Sequence, residues 1–423
     1  MIRIRSCTGM DEMQACVDLQ IETWGYDESD VIPRKTFLLA QRIGGQVLGA
    51  FDSDLAGSAA AGPDGTLVGF AMSLPGLKST PHGPQPYIHS HMLAVRASHR
   101  NRGLGTQLKW EQRHEALSRD GTGRAAPPRG TVAERIGSTL GAGQAQARSR
   151  GCGIEIGGAG KAMIRIRSCA GMDEMQACVD LQIETWGYDE SDVIPRKTFL
   201  LAQKIGGQVL GVFDSDLKND AAPGPDGSLV GFAMSLPGLK STQNGPLPYL
   251  HSHMLAVRPS HRNRGLGAQL KWEQRREALS RGIRHMEWTF DPLEIKNAFL
   301  NIHRLGAICR EYRANFYGVS SSRLQGGLPT DRLLAEWELD SPRVEALLAR
   351  RPAAARTIEE RILLPASIER WKASEATRKR AFEVQFENQQ KFQKAFARGL
   401  AVLGFSLDAE GNGVYELGPF SQP

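Results

Sequence analysis

The chain repeats itself. The stretches MIRIRSC, DEMQACVDLQIETWGYDESDVIPRKTFLLAQ, LVGFAMSLPGLKST and HSHMLAVR each occur twice at a constant offset of 162, so that Met1 answers to Met163 and His91 to His253. Between 1–119 and 163–281 about 15 positions differ, without gaps, and the match stops abruptly after Arg119 and Arg281. A period this long excludes a solenoid of short stacked repeats. It reads as a partial tandem duplication in which drift has barely begun. The differences fall in a loop, as in Ala56-Gly57-Ser58 against Lys218-Asn219-Asp220, or are conservative, as in Ile88 against Leu250. Any fold common to the copies must be complete in the second and cut off part-way in the first.

The organisation expected from this is a truncated copy over 1–119, a linker over 120–162, a complete domain over 163–340 and a C-terminal α+β extension over 341–423. The linker is rich in Gly, Ala and Arg and carries no trustworthy period. Such a composition buries too little apolar surface to offset the entropy of ordering, which predicts disorder.

Bulk properties exclude several function classes. No run of about 18 apolar residues is present, so no membrane-spanning helix is expected. The opening MIRIRSCTGMDEM places charges where an export signal needs an apolar stretch. Six scattered cysteines without CxxC spacing argue against a zinc site or a disulfide framework, and a reducing cytoplasm fits them best. The net charge of +6 comes from Arg and Lys interleaved with Glu and Asp, which is the pattern of a solvated surface rather than of a nucleic-acid face.

In the second copy, period-2 and period-3.6 patterns predict the order β-α-α-β-β-β-α-β-α-β-β. The strands are expected at 163–169, 208–214, 228–238, 249–257, 283–291, 308–318 and 333–339. The helices are expected at 171–186, 196–207, 265–282 and 295–306. The fold class is α/β, one mixed sheet with helices on both faces. In the extension, a strand near RTIEERILLP, a helix from Ser367 to Ala401 and a hairpin turning at Glu410-Gly411-Asn412-Gly413 are expected.

The sharpest local feature spans 254–272. A strand ends at Val257, a polar turn follows, and Arg262-Asn263-Arg264-Gly265-Leu266-Gly267 opens into a helix. Glycines let the backbone approach an anion, the first helical N–H groups point at it, and Arg262 and Arg264 add charge. A Gly-x-Gly pair alone also marks an ordinary tight turn. A Rossmann site needs G-x-G-x-x-G after the first strand, and a P-loop needs a Gly-Lys-Ser/Thr ending. The same loop recurs at Arg100–Gly105.

Leu255-Ala256-Val257 followed by Arg262-x-x-Gly265-x-Gly267 resembles the acetyl-CoA pyrophosphate loop of the GNAT superfamily of N-acetyltransferases, and the element order over about 163–340 is similar to that fold. Gly327 to Trp337 is also similar to a stretch carried by a bacterial group within it. The resemblance implies a splayed pair of strands, 249–257 and 283–291, with pantetheine lying between them and against Asn297. It implies acetyl-CoA as acyl donor and an amine, small or peptidic, as acceptor, received near Trp186–Asp192, and it implies no metal. The first copy lacks any equivalent of 283–340, so it could not form that cleft, and its sheet would leave an open edge.

Acetyl transfer to an ammonium needs a base, and the departing thiolate needs an acid. His251 falls where some GNAT enzymes place a glutamate base, and Glu287 on the next strand competes with it; both are equally readable as packed or ion-paired strand residues. His251 and His253 also form an H-x-H spacing, for which His285 and Asp291 are the candidate further metal ligands. The tyrosine acid usual in the family falls on Ile302 here, leaving His303, Tyr312 and Tyr317 as substitutes. Cys309 has no base placed beside it, which favours direct attack over an acetyl-cysteine route. The reading is an acyl-CoA-dependent N-acyltransferase working in a ternary complex; a catalytically silent acyl-CoA sensor is the alternative. The extension is expected to cap the acceptor cleft or to form a homodimer contact.

Overall fold

The structure is a computed structural model. It describes residues 1–27, 30–55, 64–119, 154–156, 164–187, 189, 192–217, 226–242, 245–318, 325–352 and 356–420. The remainder of the expected 120–162 linker lies outside the described residues, as do three positions of the acidic turn that follows Trp186.

The first copy runs β1 (Ile2–Ser6), α1 (Gly9–Trp24), α2 (Arg34–Arg42), β2 (Gln46–Asp52), β3 (Thr66–Thr80), β4 (Gly83–Val95) and α3 (Leu104–Arg119). A short strand follows, β5 (Ile154–Ile156). The second copy repeats the series as β6 (Ile164–Ser168), α4 (Gly171–Trp186), α5 (Arg196–Lys204), β7 (Gln208–Asp214), β8 (Ser228–Thr242), β9 (Gly245–Val257) and α6 (Leu266–Ser280). It then continues with β10 (His285–Phe290), α7 (Ile295–Ala298), which passes into a π-helical turn at Phe299–Arg304, β11 (Ile308–Arg313) and β12 (Arg332–Glu338). The last elements are α8 (Pro342–Leu348), β13 (Glu360–Leu364), α9 (Ile368–Ala373), α10 (Glu375–Ala397), β14 (Leu400–Leu407) and β15 (Gly413–Pro419).

The first copy forms a four-stranded sheet, β1-β2-β3-β4, and everything after it joins one eleven-stranded sheet, β13-β15-β14-β11-β12-β10-β9-β8-β7-β6-β5. Helices cover both faces. On one face, α4 and α5 bury Met175, Cys178, Leu181 and Phe199 against Phe232 and Met234; on the other, Leu266 and Leu270 of α6 pack on Ile166, Val212 and Val230. Each such apolar side chain contributes about 1.5–3 kcal/mol on leaving water. The start of α4 is fixed by Glu174, whose carboxylate accepts the Ala170 N–H at 2.7 Å and pairs with Arg167. The first copy does the same with Glu12, Thr8 and Arg5.

Three expectations are corrected. The linker is not wholly irregular, because Ile-Glu-Ile at 154–156 pairs antiparallel with β6, a β-branched segment satisfying the open edge of that strand. The long helix expected from Ser367 breaks at Ser374, which adopts extended backbone, into α9 and α10. The strand expected at 308–318 ends at Arg313, and the C-terminal extension joins the main sheet through β14 and β15, beyond β11. Its aromatic residues Phe392, Phe405 and Tyr415 share a core with Trp337 and Leu333.

Two of the described core clusters stay within one copy each, but the largest takes residues from both: Phe37, Phe70 and Met72 together with Phe199, Phe232 and Met234. The truncated copy is docked on the complete one.

Candidate functional site

Strands β9 and β10 run parallel and pair only at Leu250–Met286 and His251–Glu287. Beyond that point they part, and a cavity of about 300 Å³ opens between Ser252–Leu255 on one side and Trp288–Asp291 on the other. Asn297, Leu300 and Asn301 close it from α7 and the π-helical turn, and Lys271 of α6 enters from below. Trp186, Asp192, Ile194, Tyr317 and Arg332 line it as well.

The phosphate-loop segment sits at the C-terminal end of β9. Asn263 and Gly265 both take the left-handed backbone, at φ 62° and 78°. This arrangement turns successive N–H groups toward one side, ahead of the free N–H groups of the first turn of α6. Space is open where a Gly265 side chain would lie. The Arg262 Nε donates to the Val257 carbonyl at 3.0 Å. Underneath, the buried His261 holds the loop through Asp214, at 2.9 Å, and Ser260. Sequence reading missed this anchor. Its signal, His261 paired with Asp214 and His99 with Asp52 in the other copy, spans 47 residues and becomes legible only when strand order is known. Leu255 and Asn297 line the cavity, Ala256 points away into the core, and Val257 leads into the loop.

None of the expected catalytic residues His251, Glu287 and His303 lines the cavity. His251 is 5% exposed and is absent from the cavity lining; burial, with His253 beside it, pushes its imidazole down to about 3. Glu287, its register partner, is buried and tied to Lys240 and to His285, whose Nε2 lies 2.9 Å from it. Burial works against the Glu287 charge, but those partners outweigh it and hold its carboxyl below the usual range. His303 is exposed on the π-helical turn and stacks on Phe299 at 4.4 Å. Of the substitute acids, Tyr312 is bonded to Asp331 in the core, whereas Tyr317 lines the cavity with its hydroxyl 3.0 Å from Thr289. Cys309 is fully buried, and burial raises its thiol well above the ordinary value. Among the described residues no group of three His, Cys, Asp or Glu is placed to hold a metal ion, and His285 is engaged by Glu287 and Glu338.

Two residues not singled out as catalytic do face the cavity. His253 lines it with a buried Nδ1 that has no hydrogen-bond partner, and burial lowers its imidazole to about 4. Lys271 is 3% exposed, donates from Nζ to Ser252 Oγ at 2.7 Å and lies 3.6 Å over the Trp288 ring. Burial pushes its ammonium well below the ordinary lysine value. Lys271 carries no sequence signal, because it looks like an ordinary helix residue, and His253 is read from sequence only as half of the H-x-H spacing. Of the other charges of the cavity, Asp291 and Glu294 pair with the buried Lys372, at 2.7 Å each, and Asp192 with Lys35 of the first copy, at 2.6 Å, while Arg332 donates to the Gln325 side-chain oxygen at 3.2 Å.

In the first copy the loop has the same shape, with Asn101 at φ 61° and Gly103 at 76°, but β4 is the last strand of its sheet. No second strand parts from it, so no cleft forms beside that loop among the described residues.

Solved structures resembling the chain include yncA of Salmonella typhimurium with its cofactor acetyl-CoA, at 18% identity over 42% of this chain and 95% of that one, TM-score 0.32. Arabidopsis thaliana NAA60 with a bisubstrate analogue matches at 14% identity over 41% and 98%, TM-score 0.32. The ribosomal-protein-S18-alanine N-acetyltransferase of Escherichia coli matches at 16% over 42% and 96%, TM-score 0.31. No curated protein matches. The family model of the acetyltransferase (GNAT) family matches residues 14–126 and again 216–300, once in each copy. Each copy thus carries a region that matches the acetyltransferase (GNAT) family.

Proposed function

We propose that the second copy is an acyl-CoA-dependent N-acyltransferase that moves an acetyl group from acetyl-CoA to an amine by direct attack in a ternary complex. The observation that carries this reading is the parting of β9 and β10 directly beside the Arg262–Gly267 loop. Exposed backbone of Met254 and Leu255 would pair with pantetheine, Asn297 would flank it, and Arg262, Asn263, Arg264 and the N–H groups from Gly265 to Gly267 would hold the pyrophosphate. Acetyl-CoA supplies the activated acyl group.

The chain's own groups supply the proton route. An acceptor ammonium has to lose its proton before attack, and a base is most effective with a pKa near the working pH. Imidazoles pushed to about 3 and 4, as His251 and His253 are, hold a proton too weakly for this task. Lys271 lines the cavity, burial lowers its ammonium from the ordinary amine value, and once protonated it is stabilised over the Trp288 face. We therefore assign the base to Lys271 in place of His251, Glu287 or His303. The acid falls to Tyr317, whose O–H reaches the splayed strand at Thr289. The buried thiol of Cys309 is unsuited to carry an acyl group, which supports direct attack.

The test is thiol release from acetyl-CoA across a panel of amines: amino acids, diamines, amino sugars and peptides with free N-termini. Lys271→Met is expected to lower kcat by about 10²-fold while calorimetric affinity for acetyl-CoA holds. Coenzyme binding with no thiol released from any amine would instead identify a silent acyl-CoA sensor.

A further inference from the structure

We propose that the N-terminal half-copy is a built-in stand-in for a second subunit, and that its Lys35 sets the charge of the acceptor end of the cavity and so helps choose the amine. This rests on the acyl-transfer reading of that cavity. The contacts between the copies come in pairs related by the 162-residue offset. The Leu77 N–H donates to the Ile205 carbonyl at 2.8 Å, and the Leu239 N–H to the Ile43 carbonyl at 2.8 Å. Lys35 pairs with Asp192 at 2.6 Å, and Lys197 with Asp30 at 2.7 Å. Reciprocal contacts of this kind, residue i to j and j to i, define an isologous twofold interface. Here both halves of it lie on one chain.

The symmetry ends at the cavity. Lys35 and Asp192 both line it, at 17% and 8% side-chain exposure, whereas Lys197 and Asp30 lie at 58% and 31% on the side where, among the described residues, no second cleft forms. Pro33 and Thr36 add to the same wall. At the other end of α2, Arg42 lies 3.4 Å over the Phe316 ring and donates to the Phe316 carbonyl at 2.8 Å, next to Tyr317. That contact has no counterpart, because the first copy has nothing equivalent to Phe316. One helix of the half-copy thus forms a wall of a cavity whose coenzyme loop and splayed strands all belong to the other copy. Its lysine counters a carboxylate that would otherwise favour cationic acceptors.

The experiment uses the full chain and two charge-removing variants that are symmetry mates, Lys35→Met and Lys197→Met. For the parent and each variant, kcat/KM is measured with 1,4-diaminobutane and with free leucine as acceptors. Lys35→Met is expected to raise the diamine-to-leucine ratio about tenfold, while Lys197→Met leaves it within about twofold. Equal changes in both variants, or none in either, would overturn the inference while leaving acyl transfer intact. If the parent binds acetyl-CoA yet acetylates no amine, the acyl-transfer reading falls, and thiol labelling decides the inference. Saturating acetyl-CoA should then slow labelling of Lys35→Cys about tenfold and leave Lys197→Cys unaffected, and equal protection of the two overturns it. Failure of the parent to bind acetyl-CoA overturns both.

Discussion

His285 lies between two carboxylates, Glu287 at 2.9 Å from Nε2 and Glu338 at 2.7 Å from Nδ1. Burial alone would discharge it, but the two hydrogen bonds prevail and raise the imidazolium to about 9. Because the folded value exceeds the ordinary 6.5, the stabilisation is fully present below about pH 6.5 and is lost as pH rises through about 9. Glu287 behaves oppositely, contributing above its ordinary 4.5 and losing that contribution in acid, so the pair supports the fold best between these limits. A shift of this size corresponds to roughly 3 kcal/mol. His285→Gln should therefore lower the melting temperature markedly at pH 6 and much less above pH 9; an equal loss at both, by thermal unfolding, would refute the assignment. This role was not legible in the sequence, where His285 was weighed only as a metal ligand. Residues acting through a local run, such as Asn263 and Gly265, can be read from their neighbours. Those acting through burial across the sheet, such as Lys271, His253 and His285, cannot.

The loop between β9 and α6 exists twice with one backbone shape, which supplies an internal control. Gly265→Ala and Gly103→Ala place a side chain on left-handed backbone at φ 78° and 76°, each costing about 1 kcal/mol of stability. Only Gly265→Ala should also weaken acetyl-CoA, by about tenfold or more in calorimetry, with one site per chain in the parent. Two sites, or equal losses, would mean that the first loop binds without a cleft. The element order of the second copy was readable from apolar periodicity over 163–340, since each long segment carries its period within itself. The reach of β8 was not: the expected strand stops at 238, but β8 runs on past Pro237 to Thr242. The proline's tolerance is positional: the Leu239 N–H points out of the sheet edge to Ile43 of the other copy, and residue 237 lies on the same side of the strand. Beyond Ser235 no β7 residue pairs with β8, so the missing proline N–H removes no ladder bond. The π-helical turn at Phe299–Arg304 likewise looks helical in sequence, and its wider backbone turn, Leu305 N–H to the Leu300 carbonyl, depends on its setting.

At the scale of the molecule, the two copies meet through paired contacts that all lie within one chain. A face that bonds to its own copy through Leu77–Ile205 and Leu239–Ile43 would suit two separate chains equally well. A tethered half-copy, however, meets that face at an effective concentration of millimolar order, above any second chain at micromolar concentration. The shared core of Phe37, Phe70, Phe199 and Phe232 holds it there, with Phe37 of α2 meeting Phe70 of β3 and Phe199 of α5 meeting Phe232 of β8 edge-on at 5.6 Å. The intact chain should thus scatter light as a single 46.3 kDa particle at micromolar concentration. The amides of Leu77 and Leu239 should exchange hydrogen equally slowly, because each is closed by the other copy. Replacing both Lys35 and Lys197 by Asp sets two pairs of carboxylates against each other at this seam. Like charges at such separations cost on the order of 1 kcal/mol or more per pair near a surface, so both amides should exchange faster together. A particle of twice the mass in the parent would mean that the face pairs between chains, and a change confined to one of the two amides would mean that the seam is not twofold in solution.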